Sequence, residues 1–135
     1  MILVDTSVLI DYFRGGNQDK TLLFEEILQQ DIPFGISPYT YQELLQGARS
    51  ETEFTMLRDY LSTQTMYKLP DKPDTFERAA RLYYDLRRKG ITIRSTIDVL
   101  IALTAIENRL RLLHNDHDFD QMALHQKDLR ILTTI

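Results

Sequence analysis

The sequence predicts an α/β fold in which helices cover both faces of a parallel β-sheet. Short apolar runs that fit strands alternate with longer segments whose apolar residues recur at helical spacing. Parallel neighbours need crossover connections, and helices usually supply them. The chain has 135 residues, 43% of them hydrophobic, which is the size of one ordinary domain with a buried core. We therefore expect a single domain over residues 1–135.

The first half of the chain begins with a predicted strand and helix. The apolar run MILV ends at Asp5, and the helical segment TSVLIDYF stops before Gly15 and Gly16. The segment DKTLLFEEILQQ continues the helical period, and IPFGIS after it is typical of a short strand. A third helix follows, with Pro38 in its first turn, where proline is best tolerated, and Gly47 near its end.

The second half repeats the alternation. Two helices are predicted in ETEFTMLRDYLSTQ and PDTFERAARLYYDLRRKG, on either side of the short apolar run MYKLP, and Gly90 ends the second helix. The segment STIDVLIALTAIENRL has Ser95 as its predicted N-cap and is apolar on nearly every side, so it should be central and buried. The strand RLLH, the short helix DFDQMALHQ and the strand LRILTTI complete the pattern.

Composition and motifs exclude several classes of function. The chain has no cysteine, which excludes disulfides, thiolate zinc sites and thiol nucleophiles. Its N-terminus does not fit a signal peptide and its apolar stretches are too short for a membrane span, so we expect a cytoplasmic protein. A net charge of −4 argues against coating of nucleic acid through bulk charge. The chain also lacks a glycine-rich phosphate loop, a serine nucleophile elbow and a dinucleotide fingerprint.

Five acidic residues occupy positions that favour a shared site. Asp5 and Asp116 follow predicted parallel strands, whose carboxyl ends meet at the edge where ligands bind. Asp98 lies in the first turn of the most apolar helix, Glu43 is flanked by aromatics and leucines, and Asp118 follows Asp116 closely. Taken singly, each also fits a helix cap or a solvated side chain. If they converge, their repulsion requires a cation, and oxygen ligands favour Mg²⁺ or Mn²⁺.

The stretch HNDHDFD admits two other metal hypotheses. As a calcium loop it fails, because Gln121 stands at the sixth position instead of glycine and Lys127 at the twelfth instead of glutamate. As a zinc site it has His114 and His117, but His125 is the only other imidazole and no His-x-x-x-His pattern occurs. The sequence therefore favours a carboxylate site over either.

A basic run precedes the helix that carries Asp98. Arg87, Arg88, Lys89 and Arg94 fall within the segment LRRKGITIR. Such a run is common at a solvated helix end. It would equally serve to attract a phosphate backbone that an acidic pocket repels. Both interpretations remain open from the sequence.

Four segments, in this order and spacing, resemble the PIN-domain ribonucleases, specifically toxins of the VapC type from prokaryotic toxin–antitoxin pairs. They are MILVDTSVLIDYFRG, YQELLQGA, RSTIDVLIALTAI and RLLHNDHDF, and the resemblance spans nearly the whole chain. It implies a three-layer α/β/α sandwich with a parallel sheet and an acidic metal pocket. On matching positions, it implies that the acids of the pocket are Asp5, Glu43, Asp98 and Asp116, with Asp118 as a further member and Thr6 or Ser7 as the supporting hydroxyl.

The function implied by the resemblance is Mg²⁺-dependent hydrolysis of RNA phosphodiesters by a toxin. Under this hypothesis Asp5, Asp98 and Asp116 hold the metal, Glu43 and Asp118 complete its shell, and water is the nucleophile. Arg94 would support the RNA substrate. Rival hypotheses are a Mg²⁺-dependent DNA nuclease or phosphohydrolase on the same scaffold, and a protein-interaction module that has lost catalysis. The complete acid set disfavours the last, because a binding module gains nothing from carboxylates that repel one another.

The resemblance also implies partners. Such toxins usually form homodimers and bind a small antitoxin, whose C-terminal segment wraps the toxin and often places a basic side chain in the acidic pocket. Operator DNA is bound only through the antitoxin, and no membrane is involved. Exposed apolar residues on the early helices are candidate antitoxin contacts, namely Leu22, Leu23 and Phe24, although ordinary core packing explains them equally well.

Overall fold

The computed structural model of residues 1–135 contains five strands and seven helices in the predicted order. The strands are β1 (Ile2–Val4), β2 (Phe34–Ile36), β3 (Thr65–Met66), β4 (Arg111–Leu113) and β5 (Arg130–Ile131). The helices are α1 (Thr6–Phe13), α2 (Asp19–Gln29), α3 (Pro38–Gln46), α4 (Glu51–Leu61), α5 (Pro73–Arg88), α6 (Thr96–Glu107) and α7 (His117–His125). None of these helices combines the length and the hydropathy that crossing a bilayer requires.

All five strands are parallel and lie in the order β3-β2-β1-β4-β5. The chain leaves β1 toward β2 on one side and later returns to pair β4 on the other side. Connections therefore diverge between β1 and β4, which is where open parallel sheets form a ligand crevice at the carboxyl ends of their strands. Val4 is in register with Leu113, so the two strands end level with each other. The predicted parallel α/β fold is confirmed.

The sheet separates two apolar cores, one on each face. Leu3 and Leu112 point into the core formed with α5, α6 and α7. Their neighbours Ile2, Val4 and Leu113 point into the other core, with residues of α1 to α4. Successive side chains of a strand alternate between its faces, so the central strands β1 and β4 each serve both cores. The result is the three-layer α/β/α sandwich.

Helix α6 is buried as its composition predicts. Every residue from Val99 to Ala105 is buried, because the helix packs against the sheet, α5 and α7. Ser95 occupies the predicted N-cap position, but its side chain makes no capping hydrogen bond. Gly90 ends α5 with a φ of +85°, a conformation that glycine adopts without steric cost. The turn at Gly90 and the N-cap position at Ser95 set where α6 begins, and therefore where Asp98 lies in its first turn.

Candidate active site

Asp5 lies at the bottom of the crevice between β1 and β4. It caps α1 and is only 3% exposed. Its Oδ2 accepts hydrogen bonds from the Ser7 backbone N–H at 3.0 Å and from the Ser7 hydroxyl at 2.6 Å. Its Oδ1 is buried and has no partner. Burial raises the pKa of Asp5 to about 6, although both bonds from Ser7 act in the opposite direction.

Glu43 is oriented by a row of buried hydroxyls. Thr6 Oγ1 lies 2.8 Å from Glu43 Oε1 and 3.0 Å from Thr40 Oγ1. Ser37 Oγ lies 3.3 Å beyond, against Thr40 Oγ1. Each hydroxyl has one hydrogen and an ionised carboxylate only accepts, so Thr6 donates to Glu43 and accepts from Thr40. Sequence reasoning missed Thr40, although it lies three residues before Glu43 on one helix, a spacing that puts both on the same face.

Asp98 faces the same crevice from the first turn of α6. It is half-buried, and burial is the main cause that raises its pKa to about 7. The negative charges of Asp5 and Asp116 raise it further, followed by those of Glu43 and Asp118. The other four acidic residues named from the sequence therefore all lie within electrostatic range of Asp98.

Asp116 and Asp118 form the outer side of the site, with Arg94 as their cation. Asp116 caps α7, where its Oδ1 accepts from the Asp118 N–H at 3.0 Å. The Arg94 guanidinium lies 3.2 Å from Asp118 Oδ2 and 3.6 Å from Asp116 Oδ1, and its side chain is 76% exposed. The hydrogen bond to Asp118 is the main cause that raises the pKa of Arg94. The structure thus brings Arg94 into the acidic region.

The rest of the basic run stays at the end of α5. Arg87 and Arg88 lie in its last turn, and both guanidiniums stack near the ring of Tyr84. Arg88 also donates to the Tyr84 hydroxyl at 3.1 Å. Neither forms an ion pair with the acids of the crevice, so Arg94 is the member of the run that reaches them.

The histidines are dispersed. His114 is 2% exposed, and its Nδ1 accepts from the Asp116 N–H at 3.1 Å. The ring proton must therefore be on Nε2, which donates to Asp120 Oδ1 at 3.1 Å. Burial lowers the pKa of His114, which keeps the ring neutral. His117 is exposed and its ring forms a hydrogen bond with Gln121, so the two imidazoles of the HNDHDFD stretch have separate partners.

The donor set of the crevice fits a hard divalent cation. Every candidate ligand is a carboxylate oxygen, the type that Mg²⁺ and Mn²⁺ prefer. The unpartnered Oδ1 of Asp5 is a buried acceptor for which the protein itself supplies no donor or cation. As the side chains stand, no group of three or more acidic or imidazole residues is close enough to hold an ion together. Carboxylates repel one another unless a cation lies between them, so metal binding requires these side chains to move inward.

A groove with a volume of about 700 Å³ extends from Glu43 across α1, α3 and α4. Its apolar lining consists of Ile10, Phe13, Leu44, Met56, Leu57 and Tyr60. Arg14, Arg49 and Glu53 supply polar positions along it. The apolar residues named from the sequence lie elsewhere. Phe24 is fully buried in the core, so its expected role as an exposed contact is wrong, whereas Leu22 on α2 is half exposed.

Comparison with known proteins gives consistent similarities in sequence. A family model described as PIN domain matches residues 2–124. The chain is 33% identical to VapC ribonuclease Mb1587 of Mycobacterium bovis over 124 residues, covering 91% of this chain and 92% of that protein. It has the same identity and coverage with Ribonuclease VapC11 of Mycobacterium tuberculosis.

Solved structures share the fold. VapBC-1 from nontypeable Haemophilus influenzae has a TM-score of 0.71 at 20% identity, covering 98% of this chain and 97% of that one. VapBC2 from Rickettsia felis, bound to a DNA fragment from its promoter, has a TM-score of 0.69 at 20% identity and covers 98% of both chains. A toxin–antitoxin complex from Klebsiella pneumoniae has a TM-score of 0.66 at 26% identity, covering 88% of this chain and 90% of that one.

Proposed function

This chain belongs to the PIN-domain family, and from that membership we propose that it is a metal-dependent endoribonuclease acting as the toxin of a toxin–antitoxin pair. Relatives that match nine-tenths of its length carry the name VapC ribonuclease. The observation that carries the proposal is the position of Asp98, whose pKa is raised by burial and by four other acids of the crevice. Carboxylates grouped in this way suit cation binding far better than structural packing.

We assign the metal ligands to Asp5, Asp98 and Asp116, with Glu43 and Asp118 completing the shell directly or through water. When bound, Mg²⁺ or Mn²⁺ lowers the pKa of a water molecule and neutralises charge on the phosphate. Ser7 holds Asp5 through two hydrogen bonds, and Thr6 orients Glu43 through one. These bonds restrict the rotation of both carboxylates, so less reorganisation remains when the metal and the substrate bind.

Arg94 is the residue we assign to the RNA backbone. Its guanidinium is largely exposed and lies beside Asp116 and Asp118. There it can donate hydrogen bonds to a phosphate that the acids alone would repel. Because water replaces the ribose 2′-hydroxyl as nucleophile, cleavage leaves 5′-phosphate and 3′-hydroxyl ends. We expect the protein to act on RNA in the cytoplasm.

We also propose that an antitoxin binds in the groove beside Glu43. The groove offers an apolar floor with two acidic side chains, Glu43 and Glu53, and two arginines among its lining residues. An amphipathic segment that carries a basic side chain fits this combination, because its apolar residues would cover Leu44 and Tyr60 while the cation pairs with Glu43. The Klebsiella relative of known structure is itself a toxin–antitoxin complex. As in the family at large, we expect a homodimer, with operator DNA bound only through the antitoxin.

The test is to map RNA ends after cleavage by the wild-type protein and by Asp5→Asn. Wild type with Mg²⁺ should yield fragments whose 5′ ends ligate without prior phosphorylation. Asp5→Asn removes one ligand with little change in shape, so the rate should fall by about 100- to 1,000-fold. Asp59→Asn, which removes an exposed acid from α4, is the matched control and should cleave normally.

Parallel incubations with duplex DNA and with a phosphomonoester separate the rival enzymes. Preferential consumption of either would replace the ribonuclease by that activity. Calorimetry of Mg²⁺ binding tests the rival hypothesis of a protein-interaction module. A chain that binds no Mg²⁺ and cleaves nothing would be a binding protein on the PIN scaffold. Normal RNA cleavage by Asp5→Asn would contradict the assignment of the site.

A further inference from the structure

Asn115 connects the loop after β4 to helix α1 and to the turn that follows it. Its side-chain Nδ2 donates to Asp11 Oδ2 at 2.8 Å and to Gln18 Oε1 at 2.9 Å. A carboxylate only accepts, so the amide nitrogen is the atom that must face Asp11. Both hydrogens of the amide are then used. The three residues come from two distant parts of the sequence, and none belongs to the acid set.

The backbone of Asn115 makes a third connection. Its N–H donates to Ser7 Oγ at 2.8 Å, and the same hydroxyl donates to Asp5 Oδ2 at 2.6 Å. Ser7 is therefore bonded at once to the end of β1 and to the loop that carries Asp116. Together with the two amide bonds, three hydrogen bonds hold Asn115, the chain neighbour of Asp116, on the exposed side of the crevice.

The turn after α1 is shaped so that Gln18 can reach this loop. Gly15 has a φ of +77°, which favours glycine. At Gly16 a Cβ atom would lie 2.8 Å from the Asp11 carbonyl oxygen, so a side chain there would collide with the backbone of α1. The Gly-Gly pair thus returns the chain tightly against α1 and brings Gln18 within 2.9 Å of Asn115.

We propose that Asn115, with Asp11 and Gln18, is a positioning latch that holds the loop of Asp116 against helix α1. Asn115 is a positioning residue, since it acts through its neighbour. Without the latch the loop would keep only the Ser7 bond on this side, and Asp116 would sample more conformations. The link between the latch and catalysis rests on the proposed function, whereas its effect on the loop can be measured without RNA.

The experiment is a donor–acceptor swap read by amide hydrogen exchange of residues 115–118. Asn115→Ala removes both donors, and Asn115→Asp places a carboxylate against Asp11. Each should speed exchange of the Asn115 and Asp116 amides by about tenfold, because a locally opened loop exchanges faster. The double variant Asp11→Asn with Asn115→Asp restores a donor facing an acceptor, and Gln18 rotates its amide to follow. Its exchange should return to within about threefold of wild type.

A matched control and the reaction rate complete the design. Asn17→Asp adds the same charge to an exposed neighbour in the turn and should leave the exchange of residues 115–118 unchanged. In RNA cleavage, kcat should fall in Asn115→Ala and in Asn115→Asp. It should recover in the double variant that carries Asp11→Asn with Asn115→Asp. Wild-type exchange in Asn115→Ala, or a swap no better than Asn115→Asp, would overturn the latch. A wild-type chain that cleaves no RNA while the exchange pattern holds would refute the proposed function and leave the latch in place.

Discussion

The acidic site has two sides that are stabilised by opposite means. The inner acids, Asp5 and Glu43, receive hydrogen bonds from the neutral hydroxyls of Ser7 and Thr6, and Asp5 is almost fully buried. The rim acids, Asp116 and Asp118, face the exposed guanidinium of Arg94. Neutral donors orient a carboxylate without cancelling its charge, whereas a cation cancels part of it.

The difference identifies where a metal would gain most. On the rim, the guanidinium of Arg94 already compensates negative charge on Asp116 and Asp118. Inside, Asp5 keeps its charge against the cost of burial, with one oxygen lacking any partner. A divalent cation would therefore offset more uncompensated negative charge on the inner acids than on the rim acids. Experiments that alter one side at a time test this contrast.

The largest expected effect is on the pH dependence of stability. Asp5 has a folded pKa of about 6 against an ordinary value of 3.8, so the native carboxyl binds more protons than the unfolded one in that interval. Stability without metal should fall as the pH rises from 4 to 6 and stay low above it, with a penalty of about 3 kcal/mol at pH 7.

Asp5→Asn removes that charge and should flatten the pH profile measured by urea unfolding in EDTA. The unpartnered amide hydrogens cost about 1–2 kcal/mol, so the net gain at pH 7 should be about 1–2 kcal/mol. The pKa of Asp98 is raised as well, so the stability of Asp5→Asn should still fall slightly as the pH rises. Asp59→Asn on the exposed face of α4 should reproduce the wild-type profile. An identical slope in Asp5→Asn would show that the inner carboxylate is not desolvated in solution.

A smaller effect is expected from Thr6→Val, which keeps the shape and removes the hydroxyl that serves Glu43. Loss of this buried bond should cost about 1–2 kcal/mol of stability and lower RNA cleavage by about tenfold. Thr104→Val is the matched control, because the Thr104 hydroxyl is also buried but donates to the Leu100 carbonyl within α6. It should lose stability without losing cleavage. Equal loss of cleavage in both variants would mean that Thr6 acts only on folding.

The smallest effect on stability is expected on the rim. Arg94→Gln breaks the ion pair of an exposed guanidinium, so the free energy of unfolding should change only slightly at low salt. The difference should disappear in high salt, because screening already weakens the pair in wild type. Lys89→Gln, which removes a charge from the same loop without an ion pair, is the control. A large loss of stability that does not depend on salt would show that Arg94 behaves like the buried groups of the inner side.

Periodicity predicted the elements because each signal is local. The stretch from Val99 to Ala105 is apolar on nearly every side, which favours a helix packed between a sheet and neighbouring helices. Asp5 follows β1 directly and Asp116 follows β4 after two residues, so a parallel sheet had to bring them to one edge. Ser95 shows the limit of such signals, since it has the right type and position for a cap but makes no bond.

The parts of the site that escaped prediction depend on long-range geometry. Nothing local to Asn115 marks it as the partner of Asp11 and Gln18, which lie about a hundred residues earlier in the chain. Phe24 was a candidate either for an exposed contact or for core packing, and the structure buries it completely, which excludes the exposed contact. A hydrophobic helix residue is compatible with either outcome until the neighbouring elements are placed.

The sequence by itself determined the alternation of strands and helices, the edge at which the acids gather and the oxygen-only chemistry of the candidate ligands. These follow from residue type and spacing, which act over a few positions. Only the tertiary structure decided which carboxylates are buried, which are compensated by Arg94, and which hydroxyl or amide holds each in place. Those properties depend on solvent exclusion and on hydrogen-bond partners that meet only when the two faces of the sheet are packed.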